Sequence, residues 1–460
     1  MTKGKKSIDK AMIAVILTLA WPTMLEQLMQ TAVQYIDTAM VGTLGTHATA
    51  AVGATTTVNW LLQSTISALS IGFLAFIAKS CGEKDIQKAK KAVGQAVLVT
   101  VIAGCVFTVL TVGFSKQIPV WMQVDKDIQS LASSYFFILY LTMLPRTASI
   151  IFGTVLRAAG DTKTPMKVGV AVNIINVVLN FLLIYETRTI TLFGTNITMY
   201  GAGWGVIGAA AASSVAFAVG GIYITVVMWH HPMVSPKGCS LEPDKEILVP
   251  CMKIALPNML QRFATSFGFV AFASMINSVG ETATAAHTIA NTVESAFYIP
   301  GFGMQTAAAT LAGNAYGAKD KDMMERLSRM FVAIEVSLMT VSGALLFFTA
   351  QPLVEIFSTN SEVILLGTTV LKMVSVTEPI YGVSLIVEGL MMGVGRTKAP
   401  FIYNLIGMWG IRILGTFICT QLLGMGLVAA WGCMIAHNIL LFCLYLVNFV
   451  KGSWNPLKNS

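Results

Sequence analysis

The sequence predicts an all-α membrane protein of 12 transmembrane helices, arranged as two pseudo-symmetric six-helix lobes around a central cavity. Three observations predict it. The first is composition: of 460 residues, 55% are hydrophobic and only 11% charged, against roughly 25% charged in ordinary soluble domains. Mean hydropathy is +0.72. The second is that apolar stretches of about 20 residues or more, the length a helix needs to cross the hydrocarbon, recur from end to end between Gly, Pro or charge. The third is an internal repeat, described below. A transmembrane β-barrel is excluded, because its strands would alternate apolar and polar residues.

The predicted spans cover residues 11–41, 48–79, 88–114, 127–158, 162–185 and 201–230, then 247–278, 283–315, 321–350, 361–394, 397–420 and 426–451. The first follows the basic start "MTKGKK" and shows no small-residue cleavage site, so it reads as a retained helix rather than a leader. With these spans, alternate loops hold nearly all the positive charge, in "KSCGEKDIQKAKK", "RAAGDTKTPMK", "GAKDKDMMERLSR" and "GRTKAP" among others, and the opposite loops hold only Lys116, Lys126 and Arg188. By the positive-inside rule both termini are cytoplasmic. The net charge of +8 therefore reports topology. Lys and Arg sit at helix ends, with no basic patch interleaved by aromatics, and no nucleic-acid partner is expected.

The repeat has one offset. "AWPTML" at Ala20 matches "ALPNML" at Ala255, "GEKD" at Gly82 matches "GAKD" at Gly317, and "GDTKTP" at Gly160 matches "GRTKAP" at Gly395, each 235 residues apart. Three matches in register over six spans divide the chain into an N-lobe, 1–235, and a C-lobe, 236–460. An even number of spans per copy makes the repeats parallel, about an axis normal to the membrane, an arrangement secondary transporters use.

Polar residues inside the spans single out the candidate sites, because an ionisable group at depth costs about 2.5 kcal/mol or more and should face a cavity or a partner. In the first span Gln27, Gln30, Gln34 and Asp37 share one helical stripe, with Asp37 at its outer end. In the fifth, Asn173, Asn176 and Asn180 form a second stripe of amides. A carboxylate with amide oxygens suits a small hard cation or a tuned proton site; tying helices together is the plainer use of the same groups. Glu26 lies nearer the midplane, and an ion pair with Arg262 is as good an expectation for it as a ligand role. In the second half His287, Asn291 and Glu294 share one helix face, and Glu378, Tyr381 and Glu388 another. Arg412, whose offset position is Val177 beside Asn176, is expected to neutralise Glu378 or Glu388. Pro300, with no counterpart, is expected to kink its helix.

Other signals are weaker. The 25 methionines would suit a cavity that re-packs around varied apolar ligands, though lipid-facing methionine is commoner. The seven cysteines have no metal-ligand spacing and read as core packing. No Walker A loop, HExxH or GxSxG motif occurs, so neither ATP nor an intramembrane hydrolytic site is expected to drive or perform the work.

Two six-helix halves, "YIDTAMVG" closing the first span, "AAGDTKTP" and "GVGRTKAP" after the fourth and tenth, "NVVLN" in the fifth and "TAAHTIA" in the eighth together resemble the multidrug and toxic compound extrusion (MATE) family over essentially the whole chain. The resemblance implies a secondary active antiporter, not an enzyme, that exports organic cations and amphiphilic drugs against inward H+ or Na+ by alternating access. A lipid-linked saccharide flippase of the same superfamily is the alternative; it should carry several basic residues for a diphosphate, whereas acids outnumber Arg in these spans. The resemblance places cation coupling at Asp37, Asn176, Asn180 and Ser213, with Na+ a candidate at the first three. Some relatives have an acid at the Asn180 position, which leaves the ion open. The substrate cavity is expected to include Glu26, Gln30, Gln34, Asn173, Arg262, His287, Glu294 and Tyr381, with Glu378, Glu388 and Arg412 as a C-lobe ion network. In one bacterial branch the seventh span carries a Glu and the tenth an Asp that bind cation; here those places are Thr265 and Leu385, so that site does not carry over. The expected setting is a monomer in the plasma membrane, a bacterial inner membrane, with no cofactor beyond the coupling ion.

Overall fold

The computed structural model describes residues 2–122, 124–192 and 195–458, and they are almost wholly helical. In chain order the helices are α1 (Thr2–Gly42), α2 (Thr46–Gly82), α3 (Ile86–Gly113), the short α4 (Gln117–Trp121), α5 (Lys126–Tyr140), α6 (Met143–Ala158) and α7 (Lys163–Leu183). A hairpin of β1 (Glu186–Leu192) and β2 (Thr195–Ala202) precedes α8 (Gly205–His230). Then come α9 (Lys245–Asn277), α10 (Glu281–Gly317), α11 (Lys321–Phe357), α12 (Ser361–Ser375), α13 (Glu378–Gly393), α14 (Lys398–Leu405), α15 (Leu414–Phe417) and α16 (Leu427–Lys451). The stretches Ile406–Ile413 and Ile418–Leu422 that flank α15 are π-helical.

Among the described residues nine helices are long and apolar enough to cross a membrane, and the bent pairs α5/α6 and α12/α13 raise the number to 11. The twelfth long helix, α10, has 37 residues and holds His287, Asn291, Glu294 and Gln305, which lower its hydropathy. The outward faces confirm the solvent: Val109, Phe348 and Ile356 are 71%, 81% and 71% exposed, a pattern that water would not tolerate but lipid does.

Backbone geometry repeats with the sequence. Gly160 and Gly395 are left-handed at φ 88° and 78°, and Gly45 and Gly280 have φ 107° and 141°. Even the unfavourable case recurs: Lys84 and Lys319 sit at φ 59° and 53°, a conformation that costs a non-glycine about 1–2 kcal/mol. The cause is the same turn in "GEKD" and "GAKD". Asp85 N donates to Ser80 O and Asp320 N to Ala315 O, at 3.1 and 3.2 Å, closing each helix end with the same 6→1 bond. The two bends fall at repeat-related places as well, 50° between α5 and α6 and 53° between α12 and α13.

Contacts divide the chain into two compact units. One contains Met1–Gln27, Leu74–Asp85 and Val249–Ser460; the other contains Leu28–Phe73 and Ile86–Leu248. Thus the first parts of α1 and the end of α2 group with the second half of the sequence. Close approach explains the α2 end: a Cβ added at Gly82 would collide with the Asn314 backbone, and one at Gly317 with the Lys79 carbonyl. The main core of this unit joins Ile16, Leu19 and Ala20 to residues of α10, α11, α13 and α16 such as Leu311, Phe331, Leu390 and Tyr445.

Four details depart from expectation. The fourth and tenth spans are each broken in two, the tenth with Pro379 at the start of its second piece. The hairpin in the loop before α8 was legible as the alternation "TRTITL…TNITM" but lies outside the predicted spans. At Pro300 α10 runs on as one helix, and Ser342 Oγ donates to Phe297 O at 2.7 Å from the neighbouring α11. Of the cysteines only Cys251 is buried, and Cys105 and Cys443 are exposed, so core packing holds for one.

Candidate functional site

In the unit containing Leu28–Phe73 and Ile86–Leu248, the outer end of α1 meets α7 and α8. Asn180 Nδ2 donates to Asp37 Oδ1 and lies 3.2 Å from Asn176 Oδ1, and Asn176 lies 3.0 Å from Ser213 Oγ. Turning the Asn176 amide satisfies all its neighbours: its Nδ2 then faces Asp37 Oδ1 at 2.8 Å, and its Oδ1 accepts from Ser213. Asp37 is half-buried, and Asn176 and Asn180 are buried. The four predicted coupling residues therefore form one hydrogen-bonded cluster. It exists because positions i and i+4 of α7 point to the same side, toward the end of the α1 stripe. Asn173 is buried on α7 with an unpartnered Nδ2, and Gln30 and Gln34 are exposed on α1. Glu26 is buried, on the part of α1 that belongs to the other unit.

That other unit encloses a cavity of about 110 Å³. Glu294, Tyr298, Glu378, Tyr381, Arg412 and His437 line it, with Thr265, Asn291, Asn404 and Asn438. The volume corresponds to about three or four waters. Arg412 lies over the rings of Phe272 and Phe269, 4.1 and 4.9 Å from their centroids, and its leading electrostatic partner is Glu294. The expectation that it neutralises Glu378 or Glu388 is thus corrected. Glu388 instead accepts from Gln261 Nε2 at 2.6 Å and Gln305 Nε2 at 3.3 Å, with Arg262 as its charged neighbour. Arg262 also donates to Asn258 Oδ1 at 3.3 Å. His287 stays away from the cavity lining: its Nδ1 accepts from Trp431 Nε1 at 3.2 Å.

Sequence reasoning missed three buried ionisable groups. Glu335 on α11 is fully buried beside Gly301 and Gly382, with neither carboxyl oxygen bonded. His437 on α16 is buried with both ring nitrogens unpartnered. Arg146 on α6 is 7% exposed. Each lies inside a predicted span, and that alone was a usable signal.

With the geometry in hand, comparison with known proteins is decisive. The MatE family model matches residues 22–182 and again 257–418. The chain belongs to the MATE family of multidrug efflux transporters. The two matches to the MATE model begin 235 residues apart, the offset of the repeat, and end 236 apart. The extra residue falls in the copy that holds the π turns, where a wider turn accommodates one more residue. Beyond that insertion Arg412 corresponds to Asn176 rather than to Val177. A protein of Thermotoga maritima named probable multidrug resistance protein NorM is 27% identical over 446 residues, 95% of this chain and 92% of its own. Bacillus subtilis YoeA, also named a probable multidrug resistance protein, is 24% identical and covers 96% and 94%. Among solved structures, MATE in complex with MaL6 superposes with a TM-score of 0.88 at 20% identity, covering 97% of each chain. An outward-facing multidrug resistance MATE transporter gives 0.88 at 21% identity, covering 97% and 96%. The chain is accordingly a multi-pass membrane transporter with the MATE fold.

Proposed function

We propose that this MATE transporter exports organic cations and amphiphilic drugs from the cell, coupled to inward movement of a cation at Asp37. The observation that carries the reading is the Asp37, Asn180, Asn176 and Ser213 cluster, a carboxylate held by amides at the end of a polar stripe. Taking up a cation removes the charge that the amide N–H groups hold. The outer end of α1 then loses its reason to stay against α7, and its packing shifts. Export requires that ion and drug favour different states, because a ligand that binds both equally shifts neither. H+ fits the cluster more simply than Na+: a proton leaves both amides in place, whereas Na+ needs their oxygens turned inward. On the positive-inside reading the protein lies in the plasma membrane with both termini cytoplasmic.

The test is uptake of a fluorescent organic cation into proteoliposomes, driven separately by imposed H+ and Na+ gradients, with Asp37→Asn beside the wild type. The expected result is transport driven by the H+ gradient that the substitution abolishes. Unchanged transport in Asp37→Asn would remove Asp37 from coupling, and drive by Na+ alone would reverse the choice of ion. No cation transport under either gradient would overturn the exporter reading.

A further inference from the structure

A second buried charge in the same unit as Asp37 has no counter-ion. Arg146 stands in the first turn of α6, just past the bend, with its backbone N donating to Thr142 O at 3.2 Å. Its guanidinium lies over the Phe217 ring, 4.6 Å from the centroid, and Nη2 donates to Gln63 Oε1 at 3.1 Å. Nε and Nη1 are buried without a partner. The Tyr140 hydroxyl beside it donates to Asn59 Oδ1 at 3.2 Å, so the polar neighbours are neutral. No carboxylate pairs with Arg146 among the described residues. Arginine stays charged under all ordinary conditions, and an uncompensated buried cation in a membrane protein calls for an acceptor.

The repeat says what kind of place this is. At the offset of 235, Asn59, Gln63 and Arg146 correspond to Glu294, Tyr298 and Tyr381. Those three line the cavity of the other unit, where Tyr298 and Tyr381 meet edge to face with centroids 6.0 Å apart. The contact between Gln63 and Arg146 is its counterpart. One copy of this position carries an acid, and the other exchanges the acid for an amide and adds a cation. Gln63, Asn59 and Phe217 are only half-buried, so the guanidinium can be reached past them. Tyr135 lies within electrostatic range of both Arg146 and Asp37.

We propose that Arg146, with Gln63, Tyr140 and Phe217, forms an anion subsite that takes the carboxylate of zwitterionic substrates. The assignment rests on the exporter reading for its role in transport. A planar guanidinium stacked on a ring presents in-plane N–H groups, the geometry that receives a carboxylate. One cation among neutral groups balances one negative charge, which favours a monoanion over a phosphate monoester.

The experiment uses a fluorescent amphiphilic amine in three forms: bearing a carboxylate, its methyl ester, and a phosphate monoester. Binding to the purified full-length protein is measured by fluorescence anisotropy, which needs no transport. The wild type is expected to bind the carboxylate form at least about 30-fold tighter than Arg146→Gln does, with the ester unchanged. Arg146→Lys, which keeps the charge and loses the planar fork, should recover part of the difference and serves if Arg146→Gln does not fold. Equal loss for carboxylate and ester, or no loss for either, overturns the subsite. Tightest binding of the phosphate form overturns the carboxylate assignment in favour of a phosphorylated headgroup. Gradient-driven uptake of the ester by wild type and Arg146→Gln tests the exporter reading separately, since its failure leaves the binding comparison intact.

Discussion

The two ends of the repeat hold opposite chemistry in the same backbone. Asp37 on α1 meets Asn176 and Asn180 on α7; at the related places Phe272 on α9 meets Arg412, with Thr416 for Asn180 once the π-turn residue is counted. A carboxylate held by amides has become a ring under a guanidinium. The first arrangement leaves an acid half-buried and able to exchange a cation. The second buries both partners, Phe272 at 1% and Arg412 at 5% exposed, and holds Arg412 near Glu294. Duplication therefore supplied two copies of a scaffold, and the side chains made one an exchange site and the other a fixed ion network.

That contrast can be broken most sharply at Asp37. Asp37→Ala should reduce gradient-driven uptake to the level of empty liposomes and leave the melting temperature nearly unchanged, whereas a functional acid-free variant would erase the distinction. Phe272→Ala should do the reverse. Truncating a fully buried ring costs about 3–5 kcal/mol, so thermal unfolding in detergent should fall well before the coupling ion changes. Arg412→Lys keeps the charge beside Glu294 and loses the planar stack over Phe272, and about 1–2 kcal/mol of destabilisation is expected in the same assay. A Lys variant as stable as the wild type would show that the ring contributes little. The smallest effects separate Asn180 from Thr416. Asn180→Ala should weaken coupling a few-fold, the equivalent of about 1 kcal/mol, by removing one donor to Asp37. Thr416→Val, which deletes a buried hydroxyl with no partner, should be neutral or slightly stabilising.

The positions of the helices were legible because the signal is long. Each apolar run spans about 20 residues or more, and the ends of α2, α10 and α16 fall within a few residues of the predicted bounds. The bends were not legible, since an α-helix interrupted for two residues at Leu141–Thr142 has the same composition as one that is not. The Asp37, Asn176 and Asn180 grouping combined helical phase with the family resemblance. Arg412 was assigned the wrong carboxylates because three acids of similar depth lie on two helices, and phase alone does not rank distances between helices. Arg146 passed unnoticed beside a proline in "MLPRTAS", though an arginine at mid-span is itself a flag.

By itself the sequence determined the solvent, the helix count, the twofold repeat and the turns that close it, because these follow from local hydropathy and from Gly, Lys and Asp at fixed offsets. Only the tertiary structure decided which charges meet. It placed the end of α2 with the second half of the chain, added a residue in the π turns that moved Arg412 into register with Asn176, and left Arg146 without an acid. The reason is physical. Hydrophobic burial is set by amounts of apolar surface that a sequence displays, whereas pairing of charges depends on separations of a few ångströms between helices, which packing alone fixes.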